Sequence, residues 1–148
     1  MLGQYWPHGV AVAVGAGLAV QIGMNATIGR TMGSPLWGAL ANFAIGLVAL
    51  VVCAFTVGAR YTPGSIGQVP AWAWFGGLLG ATYVASVTML GPRLGGLALL
   101  ALVLAGQLVA SLLVDQFGVL GFPRIPVTPT RLVGAALLIV GTLLIVRR

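Results

Sequence analysis

Five long apolar runs make up most of this chain, separated by short breaks rich in glycine, proline and arginine. A helix of roughly 20 apolar residues spans the hydrocarbon core of a bilayer. The first four runs reach that length, and local bilayer thinning accommodates the slightly shorter fifth. We therefore predict an all-α membrane protein with about five transmembrane helices. The alternative is four transmembrane helices and a re-entrant segment. The prediction places a single transmembrane domain at 1–148, with helices at about 6–28, 36–58, 71–90, 94–117 and 130–146.

The composition excludes a water-soluble domain. Of the 148 residues, 59% are hydrophobic and only 5% are charged, whereas soluble domains carry about 25% charged residues. All seven basic residues are arginines, scattered at the ends of the apolar runs, and they form no basic stripe. The net charge of +6 therefore fits snorkelling to lipid headgroups rather than nucleic-acid binding. We expect the lipid bilayer, and no nucleic acid, as a partner.

The arginines are almost evenly divided between the two sides of the membrane. With five spans, three arginines fall on one side and four on the other, whereas orientation normally follows a clear excess of basic residues. Two copies in opposite orientations would form the inverted pair that many transporters build within one chain. We predict a dual-topology, antiparallel homodimer. The alternative is that the near-even distribution of arginines arises by chance. The two sets are Arg60, Arg124 and Arg131, and Arg30, Arg93, Arg147 and Arg148.

Polar side chains recur on one face of several predicted helices. Gln21 and Asn25 are four residues apart in the first helix, and Asn42 lies in the second between two glycines. Polar groups within a membrane usually face the bundle interior or a wet cavity. Any one of them could be interhelical glue, but stripes on four helices favour a shared cavity. We predict that the substrate-binding residues are Gln21, Asn25, Asn42, Tyr83, Gln107 and Ser111.

Asp115 is the only acidic residue, and it lies near the C-terminal end of the fourth predicted helix. The helix dipole disfavours an anion there, so Asp115 needs a cationic partner, and Arg124 and Arg131 are the closest candidates. A structural ion pair and a proton or substrate gate both remain open. One histidine, one cysteine and one acid are too few for a dedicated metal site or a supported catalytic triad. We therefore expect no enzyme activity, metal or cofactor.

Short motifs along nearly the whole chain occur in an order and spacing typical of one family. They are GAGLAVQIGMN at 15–25, PLWGALANFAIG at 35–46, GGLLG at 76–80, GQL at 106–108, DQFG at 115–118 and RLVG at 131–134. Together they resemble the YdcZ-like family of inner-membrane exporters, in the drug/metabolite transporter superfamily. The resemblance implies about five helices per unit and transport across a bacterial inner (plasma) membrane.

The chain is also similar, more remotely, to the small multidrug resistance proteins. Those proteins work as antiparallel dimers, and a membrane-embedded glutamate in their first helix exchanges protons for cationic drugs. In this sequence Gly17, Gln21 and Asn25 occupy that stretch, and no acid is present there. The resemblance thus agrees with an antiparallel dimer, but it does not extend to proton-coupled export of cations.

These observations predict a small-solute transporter that works by alternating access around a midplane cavity lined by amides. The uncharged lining favours neutral or weakly charged organic solutes, such as small metabolites or drug-like compounds. A passive channel and a non-transporting accessory membrane subunit are the alternatives, and solute flux into proteoliposomes, saturable or not, distinguishes the three.

Overall fold

A computed structural model describes residues 5–147 of the protein, and all the regular structure in this range is helical. Each of its five α-helices is long and apolar enough to cross a membrane. This confirms the predicted all-α membrane class and the five helices, whereas the antiparallel homodimer stays a prediction. The helices are α1 (Trp6–Thr31), α2 (Pro35–Thr56), α3 (Phe75–Leu94), α4 (Gly96–Phe117) and α5 (Pro129–Val146).

The chain divides into two compact units, Met1–Arg93 and Leu94–Arg148. The first unit contains α1, α2 and α3, and the second contains α4 and α5. Each unit has its own internal packing and is described below by itself. The prediction of a single transmembrane domain therefore stays a prediction.

A tight turn joins α1 to α2 in the first unit. Gly33 adopts a φ of 83°, a left-handed conformation that favours glycine. The Ser34 side chain then accepts a hydrogen bond of 3.3 Å from the backbone N–H of Leu36, and Pro35 occupies the first helical position. This is a common way to start a helix. Helical geometry ends at Thr31, and Met32 and Gly33 form the turn, so α1 runs three residues beyond its predicted end at Ile28.

The backbones of α1 and α2 touch near this turn. A Cβ atom at Gly38 would lie 2.1 Å from the carbonyl oxygen of Asn25, and one at Gly29 would lie 2.9 Å from the Cα of Pro35. No side chain fits at either position without displacing backbone atoms. Glycine therefore allows the close helix–helix approach that is common in membrane proteins.

The third helix departs most from its predicted range. A 3₁₀ turn over Ala71–Trp74 precedes α3, which continues through Pro92 and ends at Leu94 rather than Leu90. Proline removes the N–H that would bond to the carbonyl four residues earlier. At Pro92 this loss leaves the Thr88 carbonyl without its helical donor, and only two more residues of α3 follow. The helix is instead terminated by Gly95, whose φ is 80°.

In the second unit, α4 and α5 pack against each other. The buried hydroxyl of Thr142 in α5 donates to the carbonyl of Leu138 in its own helix at 2.9 Å and lies 3.2 Å from the carbonyl of Ala101 in α4. At the other end, α4 stops at Gly118, where φ is 62°. The connecting loop then leads to Thr128, whose side chain caps α5 by accepting from the backbone N–H of Arg131 at 3.3 Å.

Candidate functional site

A groove between α1 and α2 brings three of the predicted substrate-binding residues together. It has a volume of 610 Å³, within the range of roughly 300–1,000 Å³ that is usual for small-molecule sites. Gln21 and Asn25 line it from α1, and Asn42 lines it from α2. The rest of the lining is apolar or glycine, and no charged side chain among residues 5–147 contributes to it. These other lining residues are Gly17, Val20, Met24, Ile28, Ile45 and Gly46.

The groove exists because α1 and α2 separate as they run away from their connecting turn. At Gly38 the two backbones are in contact, whereas a Cβ atom at Gly17 or Gly46 would meet nothing within 4 Å. Helical spacing brings Gln21 to the same face as Asn25, and Asn42 to the same face as Gly38. The amides therefore occupy the part of the interface where the helices begin to move apart.

Asn25 lies at the narrow end of this groove and is 4% exposed. Its side-chain nitrogen, Nδ2, is fully buried and has no hydrogen-bond partner within the described residues. Buried polar atoms nearly always have such a partner, and an unpaired one costs about 1–3 kcal/mol. Gln21 and Asn42 are half-buried. Asn25 therefore carries an unpaired, buried amide donor at the narrow end of the groove.

The other three predicted binding residues do not line this groove. Tyr83 is a half-buried residue of α3. Gln107 is an exposed residue of α4 in the second unit. Ser111 lines a separate cavity of 190 Å³ in the second unit, together with Asp115 and Arg131. The role of these three side chains in substrate binding stays a prediction.

Asp115 forms an ion pair with Arg131, which lies in the first turn of α5. The two side chains are 18% and 37% exposed, respectively. Arg124, the other candidate partner, donates its Nε to the backbone carbonyl of Gln116 at 3.2 Å. The Gln116 side chain in turn accepts from the backbone N–H of Val127 at 2.8 Å. These contacts tie the end of α4 to the loop and to the start of α5.

The sequence reasoning missed the apolar part of the groove lining. Met24, Ile28 and Ile45 each follow a predicted amide by three residues, at Gln21, Asn25 and Asn42 respectively. Residues three apart are neighbours on a helix surface. Helical spacing therefore places these three side chains on the same faces as the amides, and it is the signal that identifies them.

Comparisons with known proteins agree with this architecture. A family model described as "Putative inner membrane exporter, YdcZ" matches residues 6–144. The chain is 32% identical over 139 residues to the inner membrane protein YdcZ of Escherichia coli (strain K12), covering 93% of this chain and 92% of the relative. No solved structure matches the chain. The more remote similarity to small multidrug resistance proteins stays a prediction.

The family match covers all five membrane-spanning helices nearly from end to end. It agrees with the apolar lengths of those helices, which suit a multi-pass protein of the bacterial inner membrane. The general function that the family match supports is membrane transport. The chain belongs to the YdcZ family of inner membrane exporters.

Proposed function

We propose that this protein exports small, uncharged organic solutes by alternating access, as an antiparallel homodimer with dual topology. The observation that carries the proposal is the α1–α2 groove, in which three amide side chains lie in an otherwise apolar lining. The solutes would be small metabolites or drug-like compounds that combine an apolar body with a polar group.

The chemistry of the lining supports uncharged solutes. An amide side chain both donates and accepts hydrogen bonds, and it avoids the large desolvation cost of a charged group. Gln21, Asn25 and Asn42 can therefore orient a polar group, while Met24 and Ile45 contact the apolar part of the same solute.

The openness of the groove supports a mechanism that involves a second copy. Val20, Met24 and Ile45, which line the groove, are 59%, 62% and 67% exposed. A second copy in the opposite orientation would present the same groove to the other side of the membrane. Exchange between the two arrangements would be the alternating access that inverted repeats provide in larger transporters. The near-even arginine distribution supports such a pair.

Transport is tested with purified protein reconstituted into liposomes. Uncharged compounds that raise the melting temperature of the protein in detergent are selected, and their uptake is measured as a function of concentration. We expect flux that saturates and that falls in Asn25→Ala. Flux that rises linearly and is unchanged in that variant would instead indicate a passive channel. Binding without flux for every selected compound would indicate an accessory subunit.

A further inference from the structure

We infer that the groove selects solutes carrying an oxygen hydrogen-bond acceptor, such as a carbonyl, ether or hydroxyl, which binds the side-chain N–H of Asn25. The same site would reject ammonium and other cationic groups. This inference rests on the proposed function, because it specifies the class of solute that the α1–α2 groove takes.

Among the described residues of the first unit, Asn25 and Thr88 are the two buried side chains with an unpaired polar atom, and of these only Asn25 lines the groove. Several other hydroxyl groups of this unit have local partners. Thr27 donates to the carbonyl of Gly23 at 2.9 Å, and Thr82 donates to the carbonyl of Leu78 at 2.9 Å. Such bonds to the preceding helical turn satisfy a hydroxyl without any ligand. The Asn25 Nδ2 atom is fully buried, and no atom of residues 5–147 accepts from it. It is therefore a donor directed into a protein interior without an acceptor.

The contact with Gly38 fixes the backbone that carries this donor. The backbone of Gly38 packs directly on the main-chain carbonyl oxygen of Asn25, a geometry that favours a weak Cα–H···O contact. Gly38 and Asn25 are both buried. Because α2 fixes the backbone at Asn25, and because this residue is only 4% exposed, the amide has little conformational freedom before a solute enters. Such preorganisation lowers the entropic cost of binding.

The charge distribution explains why cations would be rejected. An ion in a membrane-embedded site needs a counter-ion or a set of strong dipoles. No charged side chain of residues 5–147 lines the groove. The only acid in the sequence, Asp115, lines the separate cavity of the second unit and is paired there with Arg131. A neutral acceptor oxygen, in contrast, satisfies the unpaired donor without introducing a charge.

An infrared experiment tests for this hydrogen bond directly. Acetophenone labelled with ¹³C at its carbonyl is added to purified protein in nanodiscs of neutral lipid. The carbonyl stretching frequency falls when its oxygen accepts a hydrogen bond, so we expect a second, lower-frequency band in the wild-type spectrum. Asn25→Leu should abolish that band and weaken acetophenone binding by about five- to 150-fold, the effect of removing a buried polar partner. Gln68→Leu is the matched control, since it removes an exposed amide outside the groove.

A wild-type competition series tests the same inference without any variant. Anisole and 1-phenylethanol carry an acceptor oxygen, ethylbenzene carries no acceptor, and 1-phenylethylammonium carries a cation on a skeleton of similar size. We expect the two oxygen compounds to displace acetophenone at much lower concentrations than the other two. Equal displacement by ethylbenzene, tighter binding of the ammonium compound, or the absence of a shifted carbonyl band would overturn the inference.

These results separate this inference from the proposed function. A band that depends on Asn25, without saturable flux for any solute, would refute transport and leave acceptor recognition standing. Saturable flux of a solute whose binding is unaffected by Asn25→Leu would refute acceptor recognition and leave transport standing.

Discussion

The backbone of Gly38 in α2 contacts the main-chain carbonyl oxygen of Asn25 in α1, and it leaves no space for a Cβ atom. This contact sets the narrow end of the groove, and it aligns the amide-bearing faces of the two helices. Gly38 therefore affects both the packing of the two helices and the shape of the proposed binding site.

We predict that Gly38→Ala destabilises the protein by about 1–3 kcal/mol, the usual effect of overpacking a tight interface. Thermal unfolding in detergent, followed by circular dichroism, measures the change. Gly46→Ala is the matched control, because it is in the same helix and its new methyl group would meet nothing within 4 Å. Replacing a helical glycine by alanine normally stabilises by about 0.5–1 kcal/mol. Equal destabilisation by both variants would contradict the close contact at Gly38.

A second prediction concerns the two groove asparagines. We expect Asn25→Ala and Asn42→Ala to weaken solute binding by about 1–3 kcal/mol, because each removes a polar hydrogen-bonding group from the groove lining. The melting temperature should change little, above all for Asn25→Ala, since Nδ2 of Asn25 has no hydrogen bond within the protein to lose. Affinity and melting temperature are measured on the same purified samples. If both variants lost stability while keeping wild-type affinity, the asparagines would be interhelical glue and the binding site would be refuted.

The ion pair between Asp115 and Arg131 leads to a third prediction. A partly exposed pair of this kind contributes about 1 kcal/mol, and we expect a coupling free energy of that size between Asp115→Asn and Arg131→Gln in a double-mutant cycle. Thermal unfolding at low and high salt measures it, and high salt should reduce it because the pair is accessible to ions. Arg124→Gln is the control, since Arg124 bonds to the Gln116 carbonyl instead. Stronger coupling of Asp115 to Arg124 than to Arg131 would contradict the pairing.

The groove lining predicts how binding depends on pH. No titratable side chain of residues 5–147 lines the groove, so the affinity for an uncharged solute should be constant between about pH 5 and 8, where only histidine has a near-neutral reference pKa. Asp115→Asn should leave this profile flat. Equilibrium binding across the pH series provides the measurement. A steep wild-type dependence that disappeared in Asp115→Asn would mean that Asp115 is a gate after all.

The helices could be predicted because each depends on a local property of the sequence. Apolar length identifies the five spans, and Ser34-Pro35 marks the start of α2. The convergence of Gln21, Asn25 and Asn42 does not follow from local sequence, since a polar stripe on a helix does not specify which neighbour it faces. Here that choice depends on the tertiary contact between Gly38 and Asn25.

Two further features of the structure could not be predicted from the local sequence. The choice of Arg131 over Arg124 as the partner of Asp115 depends on the path of the loop at residues 118–128, which includes positive φ angles at Gly118, Leu120 and Gly121. The passage of α3 through Pro92 depends on position as well, because only two residues of the helix follow this proline and little helix remains that a kink could displace. Composition at Gly91-Pro92-Arg93 had instead indicated a break.

The last prediction concerns orientation in the membrane. Because the arginines are nearly balanced across five spans, we expect a reporter fused after Arg148 to be detected on both sides of the inner membrane. Orientation follows the side that carries the excess of lysine and arginine, so two or three lysines should force a single orientation. Lysines in the loop at residues 57–70 and lysines appended after Arg148 should force opposite ones, since five spans place these segments on opposite sides. Residues 57–70 lie between the second and third membrane-spanning segments.

Activity provides the decisive readout of this last prediction. Each lysine variant expressed alone should lose transport, because an antiparallel pair cannot form from copies in a single orientation. Co-expression of the two oppositely biased variants should restore transport, because each then meets a partner of the other orientation. A control that co-expresses two copies with the same bias should remain inactive, which excludes a simple effect of expression level. Full activity of one biased variant by itself, or a wild-type reporter confined to one side, would contradict the dual-topology homodimer.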